Sequence, residues 1–482
     1  MKRASGGAGV PRDKEKIDCR WDPPVHVLHA IHDFLPRHRA GSELYAWRLA
    51  RAQMARHHVT MLCADFDPAR EHGEVAWRMH DGVPVVEIIN NWRCESFEQT
   101  YRPPLIGARL HHALLTLRPD VLHVHNLLNL SFDLPACAAE LGIPVVATLH
   151  DYTLVCASGG QRVHKDDQHV CVDIDTERCA RCFTESVFYE NTTFGSLMNG
   201  HGPGSLMSKA AVHARRMLPV LTARAAQVAR RAGRLRVTRA DMDARMAAAR
   251  RVFGGIDLFV SPSPSLARDF VRFGLPPDRL RVSDYGMPQW PAAYGRTPAR
   301  PLRIGLVGTL VWHKGAHVLV DALRALAADS YRAAIFGSTD TFPAYAADVR
   351  ARAAGLPIDF KGAFEPDRAA AIYRDIDVLV VPSLWPENSP LVIHEAFQAG
   401  VAVVGARTGG IPDLIEDDVS GLLFETGSSA DLARRLRELI ENPARVSALA
   451  AGAPRVKTTE QDAADWEDAY AEVIGRRVPL QP

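Results

Sequence analysis

The sequence predicts an α/β fold in which two doubly wound, parallel-sheet domains face each other across a cleft. Three observations carry this. A chain of 482 residues exceeds a single ordinary core and requires two domains of roughly 150 to 250 residues each. Short apolar runs alternate with stretches of helical periodicity in both halves, the pattern of parallel strands joined by crossover helices. Between the halves, MPQWPAAYGRTPARP is rich in proline and lacks either period, so it reads as an interdomain linker.

In chain order, residues 1–22 are small, polar and charged, which predicts a mobile leader. The first domain, 23–290, opens with a strand at 25–31, a helical pattern over 41–56 and a second strand at 59–63. Strands at 121–124 and 144–149 flank a helical stretch at 132–140, and 256–261 supplies one more. The linker covers 291–301, and the second domain, 302–460, carries strands at 302–307, 333–336, 357–360, 378–381 and 402–404. A last helix, 461–482, has Trp466, Tyr470 and Val473 at helical spacing and is expected to pack back on the first domain. Both domains read as Rossmann-like.

Composition narrows the function classes. Hydrophobic residues at 47% and charged residues at 23% fit a soluble globular protein. Without a run of eighteen apolar residues or an apolar segment behind the first charges, the expected location is the cytoplasm. A net charge of +1 gives no reason to expect nucleic acid. The charge is uneven, however. Residues 207–252 hold twelve Lys or Arg against Asp241 and Asp243, which reads either as a solvated helical insertion or as a surface for anionic lipid at the inner face of a membrane.

The most informative segment is DVLVVPSLWPENSPLVIHEAFQAG, 377–400. Pro382 stops a buried strand, and Ser389 followed by Pro390 reads as the N-cap and first-turn pair of a helix. Pro390 has no amide hydrogen, so the free donors at this helix start belong to Leu391 and Val392, and they form an anion site at the positive end of the helix dipole. Glu387 lies before the helix and Glu395 inside it, with seven residues between them. They must do different jobs, one accepting from sugar hydroxyls and the other holding a ribose diol. A second phosphate feature stands in the same domain: the strand RIGLVG, then Thr309, then Lys314-Gly315 at a helix start. Gly308 lets backbone approach a ligand and Lys314 supplies a cation. The alternative for both glutamates is a solvated helix-start charge.

These motifs resemble those of the retaining GT-B glycosyltransferases, specifically family 4 (glycosyl transferases group 1), over roughly residues 25–474. The resemblance implies that Glu387 contacts the donor sugar, Glu395 the nucleotide ribose, and the backbone at Leu391 and Val392 the diphosphate. It places Phe364 beside the nucleobase and Gly409-Gly410 near the donor. Where the family has Gly-Arg before its lysine this chain has Gly308-Thr309, which leaves Lys314 to carry more of the phosphate. The implied chemistry is transfer from a nucleotide-diphosphate sugar to a hydroxyl of a glycan or lipid-linked acceptor, with retention and without a catalytic metal, in bacterial surface or exopolysaccharide synthesis.

On the acceptor side, Gly41 sits in the first strand-to-helix loop, where the family has two glycines and this chain has Ala40-Gly41. His150 ends the strand VVATLH at the carboxyl edge where such sheets bind ligands, and the resemblance puts an active-site histidine there. A strand-capping histidine bonded to Asp151 is the plainer alternative. His125 occupies the same edge of the neighbouring strand, and Asp151 is expected to orient His150 through a ring nitrogen. Of eight cysteines, Cys156, Cys171, Cys179 and Cys182 fall within 27 residues. Their spacing predicts a four-thiolate structural zinc site in the loop 155–185, with free thiols or an iron-sulfur cluster as alternatives. Similar cysteines follow the His-Asp-Tyr segment in a subgroup of the family.

Two other functions share these features. A nucleotide-sugar epimerase of the same fold would need no acceptor pocket, and a non-catalytic nucleotide- or zinc-binding module would need no reaction at all. A dinucleotide dehydrogenase is excluded because no GxGxxG with a downstream ribose acid is present.

Overall fold

The computed structural model describes residues 24–164, 167–197, 235–290, 297–365 and 368–477. The expected leader, most of the basic run 207–252, and residues 291–296 of the linker lie outside them.

The first domain contains β1 (His26–Ile31), β2 (His58–Asp65), β3 (Val75–His80), β4 (Val83–Ile89), β5 (Val121–Val124), β6 (Val145–Thr148), β7 (Val163–His164), β8 (His169–Val170), β9 (Leu258–Ser261) and β10 (Leu280–Val282). All but β7 and β8 form one sheet in the order β10-β9-β6-β5-β1-β2-β4-β3. Strands such as β5 and β6 are buried along their whole length, as expected where helices cover both faces. The hairpin β3–β4 was not anticipated. Its outer strand pairs antiparallel at the sheet edge and leaves Trp77 and Met79 exposed, so it has no buried apolar run to betray it.

The second domain contains β11 (Leu302–Val307), β12 (Tyr331–Phe336), β13 (Ile358–Gly362), β14 (Val378–Val381), β15 (Ala402–Ala406) and β16 (Leu422–Phe424). Its sheet is parallel throughout, in the order β13-β12-β11-β14-β15-β16. Strand order reverses between β11 and β14 here, and between β1 and β5 in the first domain. A crevice opens beyond the carboxyl ends of the strands at each reversal.

The last helix, Thr459–Arg477, buries Trp466, Tyr470 and Val473 against Val27, Tyr45 and Leu49 of the first domain. Trp466 Nε1 donates to the Tyr45 hydroxyl at 2.9 Å. The chain crosses between domains twice, and the crossings are tied, with Met287 N donating to Lys457 O at 2.9 Å and Thr459 N to Met287 O at 3.1 Å. The described end of the basic run is the helix Arg239–Gly255, which is not solvated all round but buries Met242, Arg245, Met246, Val252 and Phe253. Arg245 is buried and donates to Thr153 O at 2.6 Å and Leu154 O at 3.0 Å. Its charge fastens the loop after β6 because those carbonyls have no strand partner.

Candidate functional site: a cleft between the two sheets

A cleft of about 780 Å³ lies between the two domains, lined by Gly41, Arg48, His150 and Tyr285 on one wall and Gly308, Thr309, Lys314, Glu387 and Glu395 on the other. Lys314 ends a 3-10 turn, Trp312–Lys314. Its Nζ donates to Glu387 Oε1 at 2.6 Å, and the Ser383 hydroxyl donates to the same oxygen at 2.6 Å. The ammonium also stands 5.4 Å from the centre of the Trp385 ring. A buried carboxylate thus holds a half-exposed cation at the cleft surface.

The helix Leu391–Gln398 begins one residue later than the sequence suggested. Its cap residue is Pro390, with no side-chain cap. The Ser389 hydroxyl instead donates to Asp284 Oδ1 at 2.6 Å and meets His394 Nε2 at 2.8 Å. A charged acceptor on the facing domain outcompetes the helix amides for the hydroxyl. The helix start at Leu391 and Val392 consequently opens on the cleft without a side-chain cap. Deeper in, Glu395 accepts from the Tyr373 hydroxyl at 2.8 Å. Burial raises the Glu395 pKa, opposed by Tyr373 and by Arg48 of the first domain. Arg48 shows the converse: burial lowers its pKa and Glu395 opposes the shift.

Gly308 adopts φ +145°, and a Cβ there would meet nothing within 4 Å, so backbone conformation rather than crowding requires glycine. Phe364 lies at the cleft rim beside Glu365, which Arg39 contacts from the first domain. Gly409 and Gly410 stand behind the lining and not in it. A Cβ on Gly410 would fall 1.7 Å from Asn388 O and one on Gly409 2.3 Å from Glu387 O, while Gly410 N donates to Glu387 O at 2.6 Å. They shape the Glu387 turn, so the structure places them beside the expected sugar contact.

On the facing wall, His150 is almost fully buried. Its Nδ1 meets the Tyr285 hydroxyl at 2.9 Å and its Nε2 meets His125 Nδ1 at 3.0 Å. His125 therefore stands one ring behind the cleft. Asp151 does not orient His150, because its carboxylate accepts from Thr153 N at 2.7 Å and from Asn126 Nδ2 at 2.9 Å. The turn after β6 satisfies the carboxylate locally, and Tyr285 takes the place expected for it. Asn388 reaches across to donate to the His150 carbonyl. Gly41 packs 3.4 Å from the Leu391 side chain, measured from an added Cβ. Sequence reasoning missed Arg48, Tyr285 and Asn388. Only Asn388 carried a signal, lying inside the motif around Glu387.

The four cysteines line one cavity of about 250 Å³ and form no disulfide. Cys179 and Cys182 ride on the helix Thr176–Thr184, capped by Asp175, whose side chain accepts from the amides of Glu177 and Arg178. Burial, and then the neighbouring thiols, push Cys179 up to about 12. No three of these thiols converge within 4.8 Å of one another. Among the described residues the group whose ligand atoms converge within 4.8 Å is His29, His123 and His125.

Comparison with known proteins agrees with this architecture. Residues 39–170 match the family described as Glycosyltransferase Family 4 and residues 295–456 match Glycosyl transferases group 1. The chain is 30% identical over 202 residues to the sulfoquinovosyl transferase SQD2 of Arabidopsis thaliana, covering 39% of this chain and 38% of that protein. It is 31% identical over 251 residues to a D-inositol 3-phosphate glycosyltransferase of Xylanimonas cellulosilytica, covering 47% of this chain and 60% of the other. The matches thus span less than two thirds of either relative. Among solved structures, Anabaena Alr3699/HepE in complex with UDP and glucose aligns with a TM-score of 0.55 at 15% identity, covering 95% of this chain and 100% of the other. The chain is a two-domain GT-B protein, with a glycosyltransferase family 4 region in its first domain and a glycosyl transferases group 1 region in its second.

Proposed function

We propose that the chain is a glycosyltransferase that moves a sugar from a nucleoside-diphosphate donor to a hydroxyl of a glycan or lipid-linked acceptor, as in surface polysaccharide synthesis. The observation that carries this reading is the convergence of Lys314, Glu387 and the start of the helix Leu391–Gln398 on one cleft, with His150 on the facing wall. The donor diphosphate would lie against the helix start, where amide donors and the dipole favour an anion. Lys314 would then turn from Glu387 to the phosphate, releasing the carboxylate for the sugar hydroxyls. Glu395 would hold the ribose diol. As the glycosidic bond breaks, charge develops on the leaving phosphate beside Lys314, the kind of fixed stabilisation that lowers a barrier most.

Retention and independence from a catalytic metal follow from the family resemblance. The helix start, Lys314 and Arg48 supply positive potential in the cleft. The cysteine loop is proposed as a structural zinc site, supported by four thiols around one cavity, which would have to draw together to hold the ion. The cationic run 207–252 is proposed to bring the chain to an anionic membrane carrying the acceptor.

The test is turnover of a panel of nucleotide sugars with and without glycan acceptors. Acceptor-dependent release of nucleoside diphosphate is expected. Isomerisation of a nucleotide sugar without any acceptor would instead support an epimerase.

A further inference from the structure

Behind His150 lies a run of polar side chains with no role in the reading above. His29 Nδ1 meets His125 Nε2 at 2.9 Å, and His29 Nε2 meets Gln53 Oε1 at 2.8 Å. Gln53 Nε2 donates to the Tyr470 hydroxyl at 3.1 Å, that hydroxyl meets His123 Nδ1 at 2.7 Å, and His123 Nε2 meets Thr148 Oγ1 at 2.8 Å. With the contacts of His125, His150 and Tyr285 already given, these bonds form one unbroken chain from the cleft to the last helix. His29, Gln53, His123 and Tyr470 are wholly buried.

The chain has a direction. An amide oxygen only accepts, so His29 Nε2 carries a proton and its Nδ1 is bare. His125 must then donate from Nε2 to His29, and His150 from Nε2 to His125. His150 Nδ1 is left bare and accepts from the Tyr285 hydroxyl. At the other end the amide nitrogen only donates, so Tyr470 passes its own proton to His123. The orientation of a single amide thereby sets the tautomers of four neutral histidines. Reversing that amide would reverse every bond in the run.

A metal is a poorer account of the same cluster. His123 and His125 stack with centroids 4.2 Å apart and planes 23° apart, and two stacked rings do not aim their nitrogens at one ion. Every nitrogen of the three rings already has a partner.

The geometry points to a relay, running from Tyr470 through Gln53, His29 and His125, that holds His150 as its Nε2–H tautomer, so that its Nδ1 takes the Tyr285 proton and turns the Tyr285 oxygen to the cleft as an acceptor for a sugar hydroxyl. Gln53, His29, His125 and Tyr470 are then positioning residues, and the last helix sets the chemistry of the cleft from outside it. The relay rests on the glycosyltransferase reading for its purpose and not for its existence. Other titratable groups facing the run are His32, Tyr45, Asp151, Asp284, Asp462 and Glu467. Burial keeps the imidazoles neutral, with His29 lowered to about 4 and His150 to about 3.

The test is histidine nitrogen NMR on the full-length chain without substrate, followed by transfer assays. Wild-type protein is expected to show His150 as the Nε2–H tautomer, uncharged from pH 5.5 to pH 8. Gln53→Glu places a buried carboxylate beside His29, which should hold one imidazole of the run protonated to higher pH and shift the pH profile of transfer by about one unit. Tyr470→Phe frees the amide to turn and should give His150 signals of both tautomers, which decides the matter if Gln53→Glu does not fold. A His150 carrying its proton on Nδ1, or variants that leave its spectrum unchanged, would overturn the relay. The expected spectra in a protein that transfers no sugar would instead sink the reading of the cleft and leave the relay standing.

Discussion

In the proposed function Lys314 and Glu395 would bear the two halves of donor recognition, and their surroundings predict different penalties for losing them. Lys314→Ala removes a charge-assisted contact to phosphate, worth about 1.5 to 3 kcal/mol, so donor affinity should fall roughly 10- to 100-fold by calorimetric titration. Glu395 is half-buried at the cleft and its pKa is raised chiefly by desolvation. Ionising it therefore costs the folded state as pH rises through its folded value, and Glu395→Gln should raise the Tm at neutral pH while weakening ribose binding. A lowered Tm would contradict this. The histidines work in the opposite sense. Their folded pKa values lie below the ordinary 6.5, about 4 for His29 and about 3 for His150. As pH falls below 6.5 the unfolded chain takes up protons that the folded chain refuses, at about 1.4 kcal/mol per histidine per pH unit. Raised carboxyls such as Asp462 offset part of this. The Tm should drop steeply between pH 6.5 and 5, and a flat profile would show that these rings charge without unfolding the protein. His150 was legible from its place at a strand end. Its true partner was not, because Tyr285 lies 135 residues away and nothing local in its sequence marks it.

At the scale of elements, the glycine pair and the cysteine helix invite direct tests. Gly410 is held so close to Asn388 O that a methyl group cannot enter without moving backbone. Gly410→Ala should shift the Glu387 turn and lower Tm and donor affinity together, whereas an effect on affinity alone would mean that Gly410 touches the donor. Asp175→Ala removes the cap of the helix carrying Cys179 and Cys182, at a cost of about 1 kcal/mol. Metal content measured after purification should fall with it if the loop holds zinc. The buried parallel strands were readable because helices on both faces demand continuous apolar runs, as at Val378–Val381. The edge strand Val75–His80 escaped because it is short and its alternation is inverted, with Val75, Trp77 and Met79 on the exposed face, so no buried apolar run appears. The cap at Ser389 was misread for a related reason. Cap preferences are local, and the competing acceptor, Asp284, belongs to a distant part of the chain.

Over the whole molecule, the two sheets supply a cleft and the last helix closes the back of the first domain. Burying Trp466, Tyr470 and Val473 contributes several kcal/mol at about 25 cal/mol per Å². Truncation before Thr459 should therefore leave the first domain molten or insoluble and not merely destabilised. The two-domain plan was legible from the alternation of periods and the proline-rich linker. That the domains face each other across a cleft was expected from the same pattern; which residues meet across it was not legible, since contacts such as Asn388 to the His150 carbonyl join segments 238 residues apart. The central claim is that this cleft binds a nucleotide sugar through Lys314 and the start of the helix Leu391–Gln398. Thermal denaturation of wild type and Lys314→Ala against a panel of nucleotide sugars tests it most directly. At least one nucleotide sugar should raise the wild-type Tm by several degrees and raise that of Lys314→Ala far less. No shift with any of them, or equal shifts in both proteins, would contradict the account.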